Sequence, residues 1–290
     1  EEQAAAAGGK GRVLARLYRA GYPVPAGFVI TAQAFDEGGL RAGLWDEVSR
    51  QAAALQGREG RLLAVRSSAL AEDSAAASFA GEFESVLGVS GDEELRAAIA
   101  AVYASRQGER AHAYARAQGL DAATPMAVVV QEMVPAELAG VLFTADPLTG
   151  SRSVMAGNFV RGLGEQLVSG AATGESFTLT WPKGAYDGPP ALRPYARRLF
   201  RLGRRLTLAL GGPQDVEWAI AGGRVWLLQA RPITTMQPYD PRTGIWNDSR
   251  GGDYFWSNSN FGEALPGVMT PLTWSVVHIY IDETFQNPLA

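Results

Sequence analysis

Residues 213–235 constrain this chain more than any other stretch. They read Pro-Gln-Asp-Val-Glu-Trp-Ala-Ile-Ala-Gly-Gly-Arg-Val-Trp-Leu-Leu-Gln-Ala-Arg-Pro-Ile-Thr-Thr. Two runs rich in Val, Ile, Leu and Trp flank an Ala-Gly-Gly turn, the pattern of a β-hairpin. Asp215, Glu217, Gln229 and Arg231 are set into those runs, all at odd positions, so the two polar residues within each strand share a face. A three-residue loop, Ala221-Gly222-Gly223, puts Asp215 opposite Gln229 and all four on one face. A two-residue Gly222-Gly223 loop divides them between faces. We expect the first. The opposite face would then carry Val216, Trp218 and Ile220 with Trp226, Leu228 and Ala230, while Val225 and Leu227 partly enclose the polar side. Enclosed carboxylates want a cation. Two acids, an amide oxygen and a guanidinium on one surface suit a polyphosphate with Mg²⁺, since magnesium takes hard oxygen ligands and arginine matches phosphate oxygens. The plain alternative is an amphipathic hairpin with one solvated face.

The rest of the sequence is long enough to build a fold around that hairpin. At 290 residues with 47% apolar and 19% charged, it can bury a sizeable core in about two domains. A net charge of −4 gives no electrostatic case for a nucleic-acid partner. Cysteine is absent, which rules out disulfides and thiolate metal sites and suits a cytoplasmic location. No apolar run is long enough for a membrane span, and the first residues carry no signal-peptide core.

Along the chain, Gly8-Gly9-Lys10 opens a short helix with Val13, Leu14 and Leu17 on one side; Gly21 stops it and Pro23 and Pro25 extend the link to a strand. Lys10 stands where a phosphate is readily met, but the stretch is not a Walker P-loop, because Ala4 and Gly11 occupy its defining positions. Residues 34–57 look helical. Leu63 to Val65 reads as a strand ended by Arg66, and the Ser-, Ala- and Gly-rich stretch to Ser85 reads as a loop whose backbone can approach phosphates. Residues 92–118 read as a helix. Met126 to Val130 is a buried strand running into Gln131, Glu132, Met133, Val134 and Pro135, a suitable adenine cradle. Residues 192–210 make an amphipathic helix with leucines inside and Arg197, Arg198, Arg201, Arg204 and Arg205 largely solvated. Residues 236–250 read as a linker, and the aromatic segment beyond it is too short to bury itself.

Taken together, Gly8-Gly-Lys10 with Val24-Pro-Ala-Gly-Phe28, Val65-Arg-Ser-Ser68, Ser78-Phe-Ala-Gly81, Gln131-Glu-Met-Val134, Gly140-Val-Leu-Phe-Thr-Ala-Asp-Pro147, Gly162-Leu-Gly-Glu165, and Asp215-Val-Glu-Trp218 with Gln229-Ala-Arg-Pro-Ile233 occur in the order of a known family. They resemble the N-terminal ATP-binding domain of phosphoenolpyruvate synthase, pyruvate phosphate dikinase and rifampicin phosphotransferase. Residues 256–274 look most like rifampicin phosphotransferase. The resemblance implies an α+β, ATP-grasp-like fold of two lobes, residues 1–125 and 126–235, followed over 236–290 by a linker and the start of an acceptor-binding domain. It implies ATP and Mg²⁺ as ligands. Lys10, Arg66 and Arg231 would hold phosphates. Gly81 and Ser85 would lie on the covering loop. Gln131, Glu132, Met133 and Val134 would meet adenine and ribose, Glu217 and Gln229 would ligate Mg²⁺, and Asp215 would support them.

The implied activity is an ATP-dependent phosphotransfer of the dikinase type, giving AMP and phosphate through a phosphohistidine. The acceptor would be a small-molecule hydroxyl; pyruvate, or a non-catalytic nucleotide-binding role, are the alternatives. The sequence departs from the family in lacking the phosphocarrier. Only His112 and His278 occur, and neither lies in a Gly-rich Ser-His setting. A phosphocarrier domain would have to act in cis or in trans.

Overall fold

A computed structural model describes residues 6–57, 59–69, 85–107, 125–147, 151–164, 167 and 174–233. Residues 1–246 form one compact unit and 247–290 another; the second lies outside the described residues, as does His112.

Two antiparallel sheets carry the fold. The first has four strands in the order β1 (Gly27–Ile30), β6 (Met126–Glu132), β4 (Leu63–Ala69) and β5 (Ser85–Val89). The second has six, in the order β10 (Ala185–Asp187), β9 (Glu175–Thr180), β8 (Val154–Arg161), β7 (Leu138–Phe143), β11 (Gln214–Ala221) and β12 (Arg224–Pro232). A small hairpin pairs β2 (Phe35–Asp36) with β3 (Gly39–Leu40). With the helices α1 (Gly8–Arg19), α2 (Trp45–Gln56), α3 (Gly91–Ala104) and α4 (Ala196–Leu210), this is the expected two-lobed α+β, ATP-grasp-like arrangement.

One face of the first sheet packs on α2 and α3, with Val128 and Val130 beside Leu63, Val65, Val48, Leu95 and Ile99. The second sheet buries Leu142, Phe159, Val216, Trp218 and Leu227 against Leu199, Leu202 and Leu206 of α4. The five arginines of α4 are exposed, as its amphipathic pattern predicts. α1 reaches both layers. Its Leu14 and Leu17 belong to the second sheet's core, as does Val129 from the opposite face of the first sheet. Burying two leucines is worth about 1.5–3 kcal/mol each, so α1 is a structural bridge.

Three sequence expectations are corrected. Met126–Glu132, assigned to the second lobe, pairs with β1 and β4 in the first sheet, so the chain crosses between sheets after Glu132. A buried apolar strand reads alike in either sheet, and only its long-range partners decide. The helix expected from residue 34 begins at Trp45, because Asp36 accepts a 2.9 Å bond from the Gly38 N–H and Gly39 takes φ +111°, turning the chain into the β2–β3 hairpin. The strand expected to end at Arg66 runs on to Ala69, so Arg66 sits mid-strand between two neighbours.

Candidate functional site

The β11–β12 hairpin has the two-residue turn, not the three-residue loop. Ala221 pairs with Arg224, and Gly222 and Gly223 take φ +56° and +70°, both positive as a type I′ turn requires. That register alone would separate the acids from the glutamine and arginine. It does not persist: between Glu217 and Trp218 the pairing slips, Trp218 standing opposite Leu227 and Glu217 opposite Gln229. Leu228 is the extra residue of a β-bulge, which shifts everything beyond it by one position. Asp215 therefore faces Arg231, not Gln229 as expected, and all four polar side chains share one face. Val225 and Leu227 turn into the core instead of enclosing the polar side, while Trp226 and Leu228 are half-buried.

Arg231 donates from Nε and Nη2 to Asp215 Oδ2, at 2.9 and 2.7 Å. Burial raises the Asp215 pKa above the ordinary carboxylate range; Arg231 pulls it back and nearby Glu217 adds to the rise. From the first sheet, Arg66 reaches this face. Its Nη1 lies 3.6 Å from Glu217 Oε2 and 3.4 Å from the carbonyl of Leu228, the bulge residue. Arg66 Nε is buried without a hydrogen-bond partner. Ser85 pairs directly with Arg66 in the register and so flanks it.

These donors fit a metal-bound polyphosphate. Gln229 is 7% exposed, and among the described residues its amide makes no hydrogen bond. It stands across from a half-buried carboxylate, and the orphaned Arg66 Nε–H is a donor suited to an anion. No cluster of three or more His, Cys, Asp or Glu occurs among the described residues, so a bound Mg²⁺ would rely on the Glu217 carboxylate and the Gln229 amide oxygen with ligand oxygens.

Lys10 lies in the first turn of α1 and is 8% exposed. The helix start is docked on β4, where Ser68 Oγ accepts from the Gly11 N–H and donates to the Ala7 carbonyl, both at 2.9 Å. Gly8 is required there: at φ +70°, an added Cβ would come within 2.1 Å of the Ser68 carbonyl oxygen.

The expected adenine residues divide. Gln131 lies opposite Ala64 in the register, on the same face of the sheet as Arg66 and Ser68, and its amide donates to the Pro25 carbonyl at 3.0 Å. Glu132 lies on the other face and pairs with Arg61 at 2.9 Å. The Glu132 and Met133 N–H groups are engaged by the Ala26 and Leu62 carbonyls, both at 2.8 Å. Val134 is half-buried, and no hydrogen bond engages it among the described residues. Gly81 lies outside the described residues. A groove of about 1050 Å³ runs along α1 past Arg12, Ala15, Phe28, Val129 and Gln131, but neither Arg66 nor Glu217 lines it. Sequence reasoning missed Arg61 and Ser68. No local signal marks Arg61, and Ser68 stands in a quoted motif with no role attached.

Comparison with known proteins gives three kinds of likeness. The family described as pyruvate phosphate dikinase, AMP/ATP-binding domain, matches residues 39–187 and 192–247. The prodigiosin synthesizing transferase PigC of Serratia marcescens is 34% identical, the match covering 94% of this chain and 37% of that protein. A rifampicin phosphotransferase of Streptomyces sviceus is 34% identical over 82% of this chain and 35% of its own length. A probable phosphoenolpyruvate synthase of Methanothermobacter thermautotrophicus is 34% identical over 79% of this chain and 44% of its own. The chain thus spans well under half the length of these relatives. Among solved structures, D-alanyl-alanine synthetase A from Vibrio cholerae aligns over 80% of this chain and 57% of that one, at 12% identity and a TM-score of 0.42.

Proposed function

The chain belongs to the pyruvate phosphate dikinase AMP/ATP-binding domain family, and from that premise we propose that it is the ATP-binding module of a dikinase-type phosphotransferase. Residues 236–290 lead, on this reading, into an acceptor-binding domain, and the whole works in the cytoplasm. No helix among the described residues is long and apolar enough to cross a membrane. The observation that carries the reading is the meeting of Arg66 from one sheet with Glu217 from the other, on a face that also bears Asp215, Gln229 and Arg231.

Phosphoryl transfer asks a protein mainly for positioning and charge neutralisation. Lys10, Arg66 and Arg231 hold phosphate oxygens. Glu217 and Gln229 would hold Mg²⁺, which would supply neutralisation of the charge shared between phosphates, while Asp215 keeps Arg231 oriented in the neighbouring pair. Ser85 flanks Arg66 from the start of β5, and Gly81, outside the described residues, would cover the phosphates. Gln131 and Val134 line the base, and Met133 contributes its side chain, since its N–H is engaged. Glu132, held by Arg61 on the far face, is left a supporting role at the ribose edge.

In the parent protein ATP phosphorylates a histidine on a phosphocarrier domain with one water consumed, both phosphoanhydride bonds breaking to leave AMP and phosphate, and the histidine passes its phosphoryl group to a small-molecule hydroxyl, whose proton is released. The named relatives support the ATP side in common and differ in what they act on. Pyruvate is the competing acceptor, favoured by the phosphoenolpyruvate synthase at equal identity. The test has two stages. Calorimetry of this chain with ATP, with and without Mg²⁺, should give metal-dependent binding; none would refute the reading. The full parent, given ATP with rifampicin or with pyruvate, should modify rifampicin; phosphoenolpyruvate formation without it would overturn the acceptor class.

A further inference from the structure

We infer that Ser68 is a positioning residue that sets the spacing between the two phosphate-holding cations, Lys10 and Arg66. The inference rests on the nucleotide reading above.

The argument starts from what holds α1. Its body packs between the two sheets, and its C-terminal half is tied to the second sheet and to α4. Leu14 and Leu17 sit in that core with Trp218, Val225 and Leu227. Arg16 donates from Nη2 to the Ala209 carbonyl at 2.8 Å. Tyr22, just past the helix, donates from its hydroxyl to the Arg205 carbonyl at 3.1 Å, and the Leu227 N–H bonds the Pro23 carbonyl at 2.8 Å. Arg66, by contrast, is rooted in the first sheet through β4. None of these hydrogen bonds reaches the turn that carries Lys10.

The N-terminal end of α1 is where the first sheet takes hold. Ser68 is fully buried and lies two residues from Arg66 on the same face of β4. Its single hydroxyl brackets Lys10, bonding the carbonyl three residues before it and the N–H one residue after. A second strap, the Ala32 N–H to the Ala6 carbonyl at 3.1 Å, ties the segment to the end of β1. Gly8 allows this docking at a distance no side chain would tolerate. The glycines before Lys10 thus serve close approach to β4, in addition to any contact with phosphate.

Ser68→Ala removes both bonds and leaves the buried Gly11 N–H without its acceptor, which loosens the helix start. Such a loss is worth about a factor of ten in an equilibrium. The expected result is a Mg·ATP dissociation constant raised about tenfold, measured by calorimetry on the intact chain. The deciding readout is a double-mutant cycle with Lys10→Met. If Ser68 acts through Lys10, Ser68→Ala costs affinity in the parent background and almost none once Lys10→Met is present. Ser68→Cys, which keeps a weak donor, serves as the milder variant and carries the same cycle if Ser68→Ala does not fold. Equal losses in both backgrounds, with a lowered melting temperature, would make Ser68 purely structural and overturn the inference. Failure of the unmodified chain to bind Mg·ATP would instead overturn the nucleotide reading, and this inference with it.

Discussion

Arg66 on the first sheet and Glu217 on the second stand 3.6 Å apart, each with only part of its side chain in reach of water. The pair joins a phosphate-seeking cation to a metal-seeking anion across two layers. Glu217→Gln is expected to remove the metal dependence of nucleotide binding while leaving the strand pairing intact. Calorimetry with ATP, with Mg²⁺ and with chelator, checks this; binding still strengthened by Mg²⁺ would place the metal elsewhere.

Arg66→Ala should act on the same site from the other side. A ligand at 100 times its dissociation constant stabilises the native state by about 2.7 kcal/mol. The melting-temperature rise given by Mg·ATP to the unmodified chain should shrink by more than half in this variant. The ligand-free melting point should fall as well, because Glu217 loses its cation and the Leu228 carbonyl its donor, so the rise is read against each protein's own ligand-free value.

Asp215 and Arg231 set a pH dependence. The folded-state pKa of Asp215 is raised, chiefly by burial. The folded protein therefore binds its proton more tightly than the unfolded chain does, and stability falls as pH rises from the ordinary carboxylate range through the raised value. Arg231→Ala removes the group that holds the shift down, so this fall should deepen and move to higher pH. At neutral pH the variant should lose on the order of 2 kcal/mol, because a largely buried carboxylate loses its cation. Urea denaturation between pH 4 and 8 measures both effects; parallel curves for the two proteins would contradict them.

Deleting Leu228 should remove the bulge and extend the register of the Gly222-Gly223 turn along the whole hairpin. Because the deleted residue is the unpaired one, Trp218 would still face Leu227, Glu217 would still face Gln229, and the four polar side chains would stay on one face. The expected outcome is cooperative unfolding retained with weakened nucleotide binding, because the bulge carbonyl that Arg66 bonds is gone; thermal melts and calorimetry read both. Leu228→Ala keeps that carbonyl and should bind as the unmodified chain does.

Gly140→Ala offers a contrast away from the polar face. An added Cβ would stand 2.3 Å from the Asn158 carbonyl oxygen and 2.8 Å from the Trp218 ring. Overpacking of this kind costs about 1–3 kcal/mol. The variant should melt at a lower temperature yet bind Mg·ATP with unchanged affinity where it remains folded.

The polar set of the hairpin was legible because strand periodicity is a local property, and odd spacing keeps Asp215 with Glu217, and Gln229 with Arg231, whatever the register between the strands. The route by which they share a face was not. Leu228 carries no glycine or other mark of a bulge, and its position is settled by pairing with β11 and by the packing of Trp218. Sheet membership of Met126–Glu132 failed for a related reason: Val128, Val129 and Val130 are all apolar because both faces are buried, so the sequence does not say against what. The engagement of Glu132 by Arg61, and of the Met133 N–H by Leu62, depends on which strand lies alongside. Those neighbours come from residues far away in the chain.

The bridging helix has a consequence for how the chain acquires its shape. α1 leaves the ribosome ahead of every other described element, yet part of the core that takes in Leu14 and Leu17 belongs to the second sheet, whose β12 emerges last. A helix of twelve residues does not persist unaided in water. The first lobe's sheet can assemble during synthesis with this segment covered on one side only, and closure of the molecule waits for the hairpin, so that the strands bearing the acids also complete the fold.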